Sequence, residues 1–137
     1  MIPIKKKEEI EIMKEGGKIL AGIMQELERK VRPGIKTSEL DRLAESLISS
    51  SSEALAKEDK IKCSFKGYVS KDGDTVRPYP ACLCTSVNEE IVHAAPSGRI
   101  LKEGDIISLD LGIFYKGFHT DMAITVGVGK ISPETLR

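Results

Sequence analysis

Apolar positions recur at three- and four-residue steps early in the chain: Ile10, Met13, Gly17, Leu20, Met24 and Leu27, with charged residues between them. That spacing predicts an amphipathic helix over residues 6–31, ended by Pro33-Gly34. The pair Gly16-Gly17 either weakens this helix locally or marks where another element packs closely. A second apolar face, Leu40, Leu43, Ala44, Leu47 and Ile48, predicts a second helix from about Ser38, with Ser38 and Asp41 spaced as a capping box. The serines at 49–52 read as its polar end.

From residue 61 the period shortens to two, and short apolar runs are broken by glycine, proline and asparagine. Residues 69–78, VSKDGDTVRP, read as a surface loop or hairpin with an Asp-Gly turn. LCTSV and EIVHA read as strands separated by a turn near Asn88-Glu89. Lys102–Asp105 is a further turn that feeds the strand IISLDLGIF, and Ser132-Pro133-Glu134 resembles a helix start. Two helices followed by antiparallel strands make an α+β chain, with no internal repeat.

The hairpin DLGIFYKGFHTD carries an acid on each arm. Alternation places Asp110 opposite the apolar face of Ile107, Leu109, Leu111 and Ile113. A two-residue turn at Lys116-Gly117 sets Tyr115 against Phe118, Gly112 against Asp121 and Asp110 against Ala123. Asp110 and Asp121 then become diagonal neighbours on one face, roughly 7–8 Å apart at Cα. Gly112 opposite Asp121 leaves room for the two carboxylates to meet. The pair is either two solvent-exposed acids beside a turn, where aspartate is common, or two like charges compensated by a proton or a cation, and hard divalent ions take oxygen ligands. His93 and His119, the two histidines, lie near this hairpin in sequence; a histidine at a strand end is either a hydrogen-bonded structural group or suited to general acid or substrate-binding work. Phe65, Tyr68 and Tyr79 cluster with Cys82 and Cys84, suggesting either an apolar pocket or ordinary core packing.

Composition narrows the classes. Lys plus Arg equals Asp plus Glu, 21 against 21, which argues against a nucleic-acid-binding domain. No apolar run approaches the ~20 residues of a membrane span, and the amino terminus has no secretory signal pattern. Three cysteines, two of them in a C-x-C spacing, do not form a disulfide framework or a closed zinc site. The setting they suggest is reducing and cytoplasmic.

Three segments together resemble type I methionine aminopeptidase: CSFKGY at 63–68, YPACLCTSVNEEIVH at 79–93 and LKEGDIISLDLGIFYKGFHTDMAITVGVG at 101–129. The amino-terminal helix and its VRPGIKTSELD turn fit as well. The resemblance implies that residues 1–137 form the amino-terminal half of a pita-bread catalytic domain. It also implies metal-dependent removal of the initiator methionine by hydrolysis of the first peptide bond. Asp110 would bind one of two divalent metal ions (Co, Mn, Fe or Zn) and Asp121 would bridge both. His93 would contact the substrate, and Phe65, Tyr68, Tyr79 and Cys84 would line the methionine pocket. His119 matches no ligand of the family.

The implied partners are nascent polypeptides with an amino-terminal methionine, the ribosome and a carboxy-terminal half chain. The remaining metal ligands, a histidine and two glutamates, belong to a second half not found in these residues, so the chain alone is expected to be inactive. Two departures stand out. Ala94-Ala95 replaces a glycine and an apolar residue, raising the expectation of a shifted His93 loop because alanine reaches positive φ less cheaply. The 69–78 loop is longer than usual. Alternatives are a proline-specific relative, aminopeptidase P or prolidase, and a non-catalytic docking module.

Overall fold

The computed structural model describes residues 2–53, 55, 60–69 and 77–135. The elements run α1 (Lys7–Lys30), α2 (Thr37–Glu53), β1 (Lys62–Cys63), β2 (Leu83–Val87), β3 (Ile106–Tyr115) and β4 (Phe118–Gly127). The α+β order read from the periodicity is the order observed. Most of the 69–78 loop, including its Asp-Gly turn, lies outside the described residues.

All four strands join one antiparallel sheet built around β3. β4 pairs with β3 along its whole length. The other edge of β3 is shared: β2 takes Ile107–Leu111, and β1 takes Ile113 and Phe114. Ile107, Leu109, Leu111 and Ile113 turn one sheet face toward the helices and are fully buried. Leu20, Met24 and Leu27 of α1 meet them, together with Leu40, Ala44 and Ile48 of α2. The sheet is thus a single layer, covered by helices on one side and carrying its polar residues on the other.

The face of α1 is rotated slightly from expectation. Gly16, not Gly17, is the buried glycine, and Ile10 is 43% exposed. A Cβ on Gly16 would sit 3.4 Å from Thr120 and 3.6 Å from Tyr115, so this glycine admits the β3–β4 hairpin. Nothing comes within 4 Å at Gly17.

The start of α2 corrects another expectation. Glu39, not Asp41, completes the helix start, accepting from the Lys36 N–H at 2.9 Å. The Thr37 and Ser38 N–H groups donate to the carbonyls of Arg99 and Ser97. Asp41 reaches across to the sheet instead, where its Oδ1 accepts from the backbone N–H of Cys82 and Leu83 at 2.9 and 3.0 Å. It faces the sheet one turn into the helix, too far along to cap it.

The segment EIVHA is not a strand. Ile91 and Val92 are 86% and 64% exposed, and His93 has φ +58°, a left-handed conformation that cannot continue a ladder. The cysteines also depart from expectation: Cys63 and Cys82 are disulfide-bonded, with Cα atoms 5.3 Å apart, and Cys84 is free and buried. β1 and the start of β2 share one edge of β3, which brings together two cysteines that sequence spacing left unrelated. The cysteine pattern is therefore no guide to redox compartment here. Among the described residues no helix is long and apolar enough to cross a membrane.

Candidate active site

The hairpin that carries the two acids turns at Lys116-Gly117. Both residues have positive φ, +45° and +88°, the signature of a type I′ turn, whose twist matches the flanking strands. That turn fixes the register as Tyr115 with Phe118, Gly112 with Asp121 and Asp110 with Ala123. Asp110 and Asp121 are therefore diagonal neighbours on the sheet face turned away from the helices. Asp110 is half-buried and Asp121 exposed. Burial raises the Asp110 carboxyl above the ordinary aspartate range, Asp121 adds to the rise by charge and by hydrogen bonding, and His93 opposes it.

Gly112 serves a different purpose from the one its position suggested. The space above it is filled by the segment after β1: a Cβ there would lie 2.9 Å from Phe65 Cε1 and from Ser64 Cβ. This close approach lays Ser64 and Phe65 across the strand beside the acids. The Ser64 N–H donates to the Gly112 carbonyl at 2.9 Å.

Residues 64–69 and 77–80 form the outer wall. The Gly67 N–H donates to the Tyr79 carbonyl and the Tyr79 N–H to the Tyr68 carbonyl, both at 2.8 Å. The Tyr79 hydroxyl lies within donating distance of the Leu83 and Ala94 carbonyls, at 3.1 and 3.3 Å, tying this wall to the His93 loop. Burial pushes the Tyr79 hydroxyl pKa upward. Burial also raises the Cys84 thiol, which shares a face with its cross-strand partner Asp110, while a hydrogen bond with Tyr79 works the other way.

The loop carrying His93 is held by the NEE sequence before it. Asn88 donates to Asp105 and accepts from the Ile106 N–H, each at 2.9 Å. Glu90 accepts from the Val87 N–H at 2.8 Å. Arg99 bridges Glu89 at 2.9 Å and Glu90 at 3.2 Å. His93 itself takes the left-handed backbone, and Ala94 and Ala95 are not among the positive-φ residues. The alanine pair thus occupies ordinary backbone and demands no glycine, contrary to the concern its presence raised.

These pieces enclose one open cavity of about 710 Å³. Phe65, Tyr68, Tyr79, Cys84, His93, Asp110 and Asp121 all line it. So do Ser64, Arg77, His119 and Thr120, of which only His119 had drawn attention in sequence, without a role. Ser64 left no local signal beyond a small residue in β3, Gly112, whose meaning depends on the segment after β1 lying over it. The two carboxylates are the hard-oxygen donors a divalent cation takes, and their mutual charge favours one. Among the described residues no group of three or more His, Cys, Asp or Glu side chains is placed to hold a metal. The pair therefore fits a metal as part of a donor set.

Residues 11–137 match the model of metallopeptidase family M24, and the chain belongs to that family. Within it, the chain is similar to methionine aminopeptidases. It is 43% identical over 134 residues to the methionine aminopeptidase of Clostridium perfringens, covering 98% of this chain and 47% of that protein. It is 43% identical to methionine aminopeptidase 1 of Bacillus subtilis, covering 98% and 48%. The crystal structure of the Thermotoga maritima methionine aminopeptidase superposes with a TM-score of 0.81 at 34% identity, covering 97% of this chain and 47% of that one. The chain spans about half the length of the curated relatives it matches.

Proposed function

We propose that residues 1–137 are the amino-terminal half of a methionine aminopeptidase catalytic domain. In this reading the whole enzyme removes the initiator methionine from nascent polypeptides, and the half chain is inactive by itself. The observation that carries it is the convergence of Asp110 and Asp121 on one face of an apolar-walled cavity that His93 also lines.

Asp110 and Asp121 would both supply carboxylate oxygens to the divalent metal ions, Asp121 contributing to each of the two, and would lose their mutual repulsion by doing so. The chemistry that a divalent cation held by Asp110 and Asp121 would supply is polarisation of the scissile carbonyl and a lowered pKa for the attacking water. Phe65, Tyr68, Tyr79 and Cys84 would hold the unbranched methionine side chain in a largely apolar enclosure. His93, on its strained loop, would hydrogen-bond the substrate at the reacting carbonyl. A carboxy-terminal half would complete the donor set, and the ribosome would present the substrate.

Calorimetric titration with Mn(II) tests the reading. The chain is expected to bind the ion weakly, since affinity follows ligand number, and to lose binding in Asp121→Asn. No binding by the wild-type chain would favour a docking module. Turnover of a Met-Ala-Ser peptide by the chain alone, abolished by Asp121→Ala, would overturn the half-enzyme reading.

A further inference from the structure

The cavity wall over Gly112 is held by a contact that the proposed chemistry does not use. His119 Nδ1 and Ser64 Oγ share a hydrogen bond of 2.8 Å across the face of β3. His119 stands on β4 opposite Phe114, and the two rings lie 4.7 Å apart at their centroids, which restricts the imidazole. Ser64 follows directly on β1, at the opposite edge of β3. The link therefore spans three strands, and it passes over Gly112 because that position has no side chain.

We propose that His119 is a positioning residue. Through Ser64 it clamps the Phe65 ring over Gly112, beside Asp121, and so sets how firmly the cavity holds an unbranched apolar side chain. The backbone bond from Ser64 to Gly112 fixes only the main chain. The other anchors of this segment, the Cys63–Cys82 disulfide before it and the backbone bonds of Gly67 and Tyr68 with Tyr79 after it, also hold main chain and leave the Ser64 and Phe65 side chains to be oriented by other contacts. The hydroxyl–imidazole bond adds a second point of attachment on the far strand, and two points define the orientation of the ring that follows. The affinity part of this inference rests on the methionine-pocket reading; the clamp itself does not.

Nuclear Overhauser effects between the Phe65 ring and the Gly112 Hα test the clamp in the 137-residue chain. They are expected in the wild type and lost in His119→Ala and in Ser64→Ala, while cross-strand effects between β3 and β4 persist. His119→Asn is expected to restore them, because its amide places a polar atom near the position of Nδ1. Ser64→Ala removes a single oxygen, so it remains informative if His119→Ala fails to fold. Wild-type ring contacts in Ser64→Ala would overturn the clamp.

Titration with methionine amide gives the second readout. Binding is expected to weaken about five-fold in Ser64→Ala and to recover in His119→Asn relative to His119→Ala, the order expected for one ordering hydrogen bond. Unchanged affinity in Ser64→Ala would overturn the link to ligand binding. Failure of the wild type itself to bind would refute the pocket reading, and the ring contacts would still decide the clamp.

Discussion

His93 holds a backbone conformation that disfavours any residue with a Cβ, and it does so on the rim of the cavity. Strain of this kind persists where the surroundings over-determine it. Here Glu90, Asn88 and Arg99 anchor the turn before it, and Tyr79 holds Ala94 after it. His93→Gly is therefore expected to be about 1 kcal/mol more stable than His93→Ala in urea denaturation, since glycine alone adopts this φ without cost. Gly112→Ala is expected to destabilise the chain by about 1–3 kcal/mol, because the new methyl group would meet Ser64 and Phe65 at 2.9 Å. Asp110 and Asp121 were legible as a pair because strand alternation and a two-residue turn are local rules. Ser64 was not, because its role depends on the segment after β1 passing over Gly112 toward the opposite strand.

At the scale of elements, two carboxylates act as fasteners between segments. Asp41 joins α2 to the start of β2 by two charge-assisted hydrogen bonds to backbone N–H groups. Asp41→Ala leaves those donors unpartnered and is expected to cost about 2 kcal/mol, read from a shift in the urea midpoint at constant slope. Asp105 fastens the NEE turn to the start of β3. The Asn88 amide first, and then the Lys102 N–H, hold its carboxyl below its ordinary value of 3.8. A depressed pKa means that this stabilisation is fully present above the unfolded value and is lost as pH falls through the folded one. The urea midpoint is therefore expected to fall less between about pH 5 and about pH 3 in Asp105→Asn than in the wild type. The helices were readable from their periodicity. The EIVHA segment departs from its predicted strand because its apolar residues, Ile91 and Val92, face outward on a loop.

At the scale of the whole molecule, the disulfide between Cys63 and Cys82 closes a ring around the outer wall of the cavity. Phe65, Tyr68, Arg77 and Tyr79 all lie inside that ring. Thiol titration of the unfolded, unreduced chain is expected to find one free group, Cys84, and reduction is expected to lower stability by about 3 kcal/mol.

What the sequence determined by itself was everything carried by short-range geometry: both helices, the α+β order, the β3–β4 register and the common face of Asp110 and Asp121. Helical and strand periods and a type I′ turn are set by neighbouring residues alone. Only the tertiary structure decided the Cys63–Cys82 pairing, the reach of Asp41 into the sheet and the passage of Ser64 over Gly112 to His119. Each of these depends on β3 sharing one edge between two strands far apart in the chain, and no local pattern encodes that edge.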